Sequence, residues 1–127
     1  TASDFDAVEI VARLAVAKGD AGLYFGWTES QGGFEVNAEG LPNPKPQSGS
    51  LVGHQDIQTD LVPAGVLGEY RIRCVPTPNG SGREITVTLN GIEIVRTTVD
   101  TPRRGHIMLE IGDDTELRVE ELTARRL

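Results

Sequence analysis

Apolar side chains recur at every second residue along most of this chain, and that period is the mark of a half-buried extended strand rather than a helix. Val8, Ile10, Ala12, Leu14 and Val16 alternate with Glu9, Val11, Arg13, Ala15 and Ala17. Leu23, Phe25 and Trp27 fall on one side of the next run, with Gly22, Tyr24 and Gly26 on the other. The same alternation returns at Phe34-Val36-Ala38, Tyr70-Ile72-Cys74, Ile85-Val87-Leu89, Ile107-Leu109-Ile111 and Leu117-Val119. At Glu121 the phase slips, so that Leu122 and Ala124 take over the apolar positions, and a β-bulge accounts for such a slip. Asn90-Gly91, between two alternating runs, supplies the two positive-φ residues of a type I′ turn and predicts a hairpin over residues 84–96. Asp4 to Lys18 is rich in Ala and Glu, but its Val and Ile positions alternate, and Gly19-Asp20-Ala21-Gly22 reads as a turn. The chain is therefore expected to be all-β: a single domain over residues 1–127, built as a two-sheet antiparallel sandwich.

Two segments stand outside this pattern. Leu41 to Ser50 has prolines at 42, 44 and 46, which remove backbone donors and favour an extended surface loop. His54 to Gly68 reads as a long crossover, the kind of connection that often carries function.

Charge narrows the range of partners. Twelve Lys and Arg against nineteen Asp and Glu give a net charge of −7, and the basic residues form no cluster beyond Arg103-Arg104 and Arg125-Arg126. Nucleic acid would have to bind against a repulsive field, so that class is set aside. No run approaches the ~20 apolar residues of a helical membrane span. The lone Cys74 excludes a disulfide within the chain and a cysteine-based zinc site, and its place beside Tyr70 and Ile72 reads as packing. The start at Thr1-Ala2-Ser3, without Met, fits a processed chain, and the expected location is periplasmic or extracellular.

Several segments, in order, resemble the 3-keto-disaccharide hydrolase family. Gly22-Leu23-Tyr24-Phe25 followed by Gly33-Phe34-Glu35-Val36-Asn37 is similar to that family's paired GxFF and GYEVQ strands. Gly49-Ser50-Leu51-Val52-Gly53 resembles its GSLYG segment, Gly68-Glu69-Tyr70-Arg71-Ile72 its GEWNxYRI, and Ile85 to Gly91 its ITVWLNG. Gly105 to Glu110 and Glu116 to Leu122 stand where its last two strands would stand. The resemblance spans Phe5 to Leu127 and implies a concanavalin-A-like jelly roll acting on 3-keto sugars. It is also incomplete. About sixty family residues, with an opening strand, have no counterpart before Phe5; Tyr70 replaces a Trp, and Asn37 replaces a Gln. A missing strand would leave a sheet edge for a partner protein or an identical copy to cover, making the chain an oligomer or a subunit of a complex.

The chemistry follows from that resemblance. Glu35, Asn37 and Glu39 share the face opposite Phe34, Val36 and Ala38, with Glu35 and Glu39 about 13 Å apart along an ideal strand. This is too far for the paired carboxyls of a glycosidase, which stand roughly 5–9.5 Å apart. A 3-keto glycoside instead has a C–H acidified by its ketone, so one base and a stabiliser for the enolate oxygen suffice. For that chemistry the residues are allocated with Glu35 as the base or a ligand, His54 as a second catalytic residue, and Asn37, Tyr24 and Glu39 as substrate-binding residues. The same strand also fits a plain wet face with no site. Tyr24, on the glycine side, is the better platform for a sugar ring; Trp27, on the side of Leu23 and Phe25, reads as core. His106 reads as a strand-face residue, and Asp113-Asp114 as a turn. Asp56 and Asp60 could help bind Ca²⁺, although no spacing rule for its roughly six to eight oxygens is met; no other metal and no cofactor is expected. Two functions stand side by side: a carbohydrate-directed domain with a saccharide over the face around Glu35, or a non-catalytic interaction subunit or scaffold within a larger assembly.

Overall fold

Each alternating run forms a strand in the computed structural model, which describes residues 7–30, 32–41, 48–53, 55, 61–99 and 106–127. The strands are β1 (Val8–Lys18), β2 (Asp20–Thr28), β3 (Gly32–Glu39), β4 (Gly68–Pro76), β5 (Arg83–Leu89), β6 (Ile92–Val99), β7 (His106–Ile111) and β8 (Glu116–Arg126). They make two antiparallel sheets, a five-stranded one in the order β6-β5-β4-β1-β8 and a three-stranded one in the order β3-β2-β7. The all-β, two-sheet architecture expected from the alternation is the one observed.

The inward residues of both sheets form one apolar layer. Ile10, Leu14, Tyr70, Ile72, Ile85, Val87 and Leu89 from the large sheet meet Leu23, Phe25, Phe34 and Val36 from the small one. Phe25 and Phe34 stand opposite each other on neighbouring strands, with ring centroids 5.4 Å apart. Leu51, fully buried, belongs to a segment running beside β3, where Asn37 N–H donates to the Ser50 carbonyl at 3.0 Å and Val52 N–H to the Glu35 carbonyl at 2.9 Å. These bonds cover the outer edge of β3. Val62 enters the core from the crossover, and it fits because residue 68 is glycine: a Cβ there would stand 2.6 Å from a Val62 methyl.

Two sequence signals match in detail. Asn90 and Gly91 have φ values of 50° and 83°, as the hairpin turn requires. The Asn90 side chain also ties the turn down, accepting from Glu69 N–H at 2.8 Å and donating to the Leu61 carbonyl at 2.9 Å. In β8, Arg13 pairs with Glu121 and Leu14 with Val119, so Glu120 is the extra residue that shifts the phase. Asp114, at φ 53°, lies in the β7–β8 turn. Cys74 is buried, and desolvation pushes its thiol up to about 11, as suits a packing residue rather than a nucleophile.

On the outer face of the large sheet, one carboxylate joins three strands. Glu9 on β1, 6% exposed, accepts from Arg71 Nη1 of β4 at 3.0 Å and from Arg125 of β8 at 2.9 Å and 3.1 Å. Arg73 Nε lies 3.6 Å away. The side chains of Arg71, Arg73 and Arg125 are 39%, 55% and 70% exposed, so they keep much of their hydration while the carboxylate does not. Glu9→Ala should therefore cost about 1–3 kcal/mol, below the figure for a fully buried pair, because the orphaned guanidiniums can turn to water. Urea denaturation at neutral pH measures this loss, and exchange of the β8 amides should rise with it.

Candidate functional site

The outer face of the small sheet is set by hairpin register. Pairing between β2 and β3 places Tyr24 opposite Glu35, Gly22 opposite Asn37 and Asp20 opposite Glu39. Pairing between β2 and β7 places Glu110 opposite Gly22 and Met108 opposite Tyr24. Directly opposed residues share a face, so four carboxylates (Asp20, Glu35, Glu39 and Glu110) surround Tyr24 and Asn37 on one surface.

Glycine at position 22 leaves the middle of this surface open. A Cβ there would run into Glu35 Oε2 and lie 3.1 Å from Tyr24 Cε2. The Glu35 carboxylate and the Tyr24 ring thus lie over Gly22 from two sides, and the Tyr24 hydroxyl donates to Glu35. Beside them, Asn37 Nδ2 donates to Glu39 Oε1 at 2.6 Å. The carboxylates of β3 are therefore held in two separate side-chain pairs, Tyr24–Glu35 and Asn37–Glu39, rather than as a matched acid pair.

Burial, with Glu110 and Asp20 nearby, holds the Glu35 carboxyl above its ordinary value near 4.5, while the Tyr24 hydroxyl pulls it partly back. Tyr24 is raised as well, first by burial and then by the charge of Glu35, so its hydroxyl remains a donor at neutral pH. A partly desolvated carboxylate next to a fixed hydroxyl donor and an amide can accept a proton and hydrogen-bond a polyhydroxylated ligand.

Trp27 corrects the expectation that it packs with Leu23 and Phe25. Gly26, at φ 61°, sits in a bulge: Phe25 pairs with Phe34 and Thr28 with Gly32, so β2 has one residue more than β3 over the same span. The same extra residue appears against β7, where Tyr24 pairs with Met108 and Trp27 with His106. Trp27 therefore shares the face of Tyr24 and lies outside the core cluster. A glycine directly after Phe25 was the available signal, since glycine inside a strand often marks a bulge.

Of the residues predicted from sequence, Tyr24, Glu35, Asn37 and Glu39 come together on this face. His54 lies outside the described residues, as do Asp56 and Asp60. Asp20, Gly22 and Glu110 were not anticipated as members of the site; they follow only once β2 is paired on both sides. Among the described residues no group of three or more His, Cys, Asp or Glu is arranged to hold a metal ion. A concavity of about 500 Å³ lies elsewhere, lined by residues including Ala15, Gly65 and Leu117. No protein-family model, curated protein or solved structure matches the chain.

The raised Glu35 gives a signed pH prediction. A carboxyl whose folded value exceeds its unfolded value favours folding below the unfolded value, and that contribution fades as pH rises through the folded value. Glu35→Gln should therefore gain stability relative to wild type as pH rises from below 4.5 to neutrality. Paired urea curves across that range test this. Gly22→Ala should push the Glu35 carboxylate aside, and its NMR-detected titration should move from its raised position.

Proposed function

We propose that this chain is a carbohydrate-directed domain of the 3-keto-glycoside hydrolase type, binding a saccharide on the outer face of the small sheet around Glu35. The observation that carries this reading is Trp27, turned by the Gly26 bulge onto the face where Tyr24 and Glu35 meet over Gly22. Aromatic rings beside fixed hydrogen-bonding groups suit sugars, which present apolar C–H faces and rims of hydroxyls. The short outward column of Glu35, Asn37 and Glu39 alternates with core residues, so the apolar layer holds its backbone still.

On a 3-keto glycoside, Glu35 would take the proton from the carbon next to the ketone, and a neighbouring donor would steady the enolate oxygen. The single O–H of Tyr24 is given to Glu35 itself, so the donor for that oxygen would be the second amide N–H of Asn37, whose first goes to Glu39. A raised carboxyl value suits the role, because a stronger base is better matched to a weakly acidic C–H. The concanavalin-A-like fold and the family belong to the same reading and rest on the sequence resemblance; an extracytoplasmic location is proposed with them.

A non-catalytic interaction module is the second reading. It is favoured by exposed apolar side chains along β8, with Val119 43% and Leu122 42% exposed.

Calorimetric titration with neutral oligosaccharides and a 3-keto glycoside, together with a turnover assay, separates the two. The proposal expects binding that weakens about two- to tenfold for Tyr24→Ala and for Trp27→Ala. It also expects turnover that Glu35→Gln abolishes while binding remains. Binding without turnover would leave a lectin-like module, and absence of both would remove the sugar reading.

A further inference from the structure

The five-stranded sheet ends at β8, which pairs with β1 on one side and, among the described residues, with no strand on the other. The small sheet ends on β7. Ile111, paired with core residue Ala21, is 53% exposed, and Leu122, paired with core residue Ala12, is 42% exposed. Val119, paired with core residue Leu14, is 43% exposed. These side chains face the inter-sheet layer yet remain wet, so this side of the sandwich has an apolar mouth. Long edges of this kind are normally blunted or covered.

We infer that the occupant of this edge is a second copy of the chain, whose β8 pairs antiparallel with the first across a two-fold axis and joins the two large sheets into one. The ends of β8 are complementary in charge: Glu116 opens the strand and Arg125 and Arg126 close it, with Arg118, Glu120 and Glu121 between. Running two such strands in opposite directions sets acidic ends against basic ends, whereas a parallel copy would set like against like.

The bulge selects the register. Because Glu120 is an extra residue, Val119 and Leu122 share a face although they are three apart. Faces match when Val119 meets the partner's Leu122 and Leu117 meets the partner's Ala124. Glu116 then meets the partner's Arg125, and Arg118 meets the partner's Thr123. Shifting this register by one residue would place apolar side chains against charged ones. Glu120 and Glu121 of both copies gather at the axis, but each Glu120 already stands beside Arg13 at 3.9 Å and Arg118 at 3.7 Å. The isologous contact buries the same apolar strip twice, as two-fold assemblies do.

Sedimentation equilibrium and light scattering of the full chain, up to high micromolar concentration, test this. Wild type should be a dimer, and Val119→Lys/Leu122→Lys should be monomeric at the same concentration with an unchanged far-UV spectrum, since both sites are exposed. Glu116→Lys should weaken the dimer about tenfold at low salt and less at high salt. Amide exchange of wild-type β8 should slow as concentration rises, which reads the interface even if a variant folds poorly. A wild type that stays monomeric overturns the inference. So does an oligomer that the double lysine variant leaves intact, or β8 exchange that does not depend on concentration.

Discussion

The apolar layer between the two sheets is the constraint from which the other features follow. A strand can offer only every second side chain to that layer, so filling it with Ile10, Leu23, Phe34, Val36 and Ile72 commits the intervening positions to the outside. Glu35, Asn37 and Glu39 form an ordered polar column because Phe34, Val36 and Ala38 cannot leave the core. Extended segments with one wet face satisfy their backbone groups only through neighbours, so the same constraint also dictates the edges. The edge of β3 is met by the segment around Leu51, while β8 is left bare among the described residues.

Polar groups divide into two kinds. On the large sheet, Glu9 is surrounded by arginines from its neighbours, and its charge is compensated on the spot. On the small sheet, Asp20, Glu35, Glu39 and Glu110 share a face, and Glu35 is held partly away from water beside Glu110 and Asp20. The first arrangement ties strands together. The second keeps a carboxylate from settling, which is the setting in which reactive or ligand-binding acids are found.

The sequence made the strands legible because alternation is local: Ile85-Val87-Leu89 and the Asn90-Gly91 turn need no knowledge of the rest of the chain. The slip at Glu121 was visible for the same reason, since Leu122 and Ala124 break the count. Which strands would be neighbours was not visible. Gly22 became the floor of a site only when β3 and β7 were placed on either side of it, and Glu110 is eighty-eight positions away from it in the chain. Trp27 was misplaced because alternation was carried straight through Gly26, where an added residue reverses the sense. The column at Glu35, Asn37 and Glu39 was correctly placed on one face, but its division into Tyr24–Glu35 and Asn37–Glu39 pairs depends on rotamers that no spacing rule encodes.

The bulge at Gly26 makes the end of β2 unusually easy to reprogram. Gly26 sits at φ 61°, a conformation that a β-branched side chain resists. A strand that ran regularly through this position would turn the indole to the interior and leave the ring-lined surface with Tyr24 alone, while the pairing upstream stayed in place. Two chains differing at that single glycine would share an architecture yet present different chemistry to solvent. A change of backbone conformation at one strand end, rather than an exchange of any exposed side chain, is therefore the shortest evolutionary step by which such a surface could gain or lose its ligand.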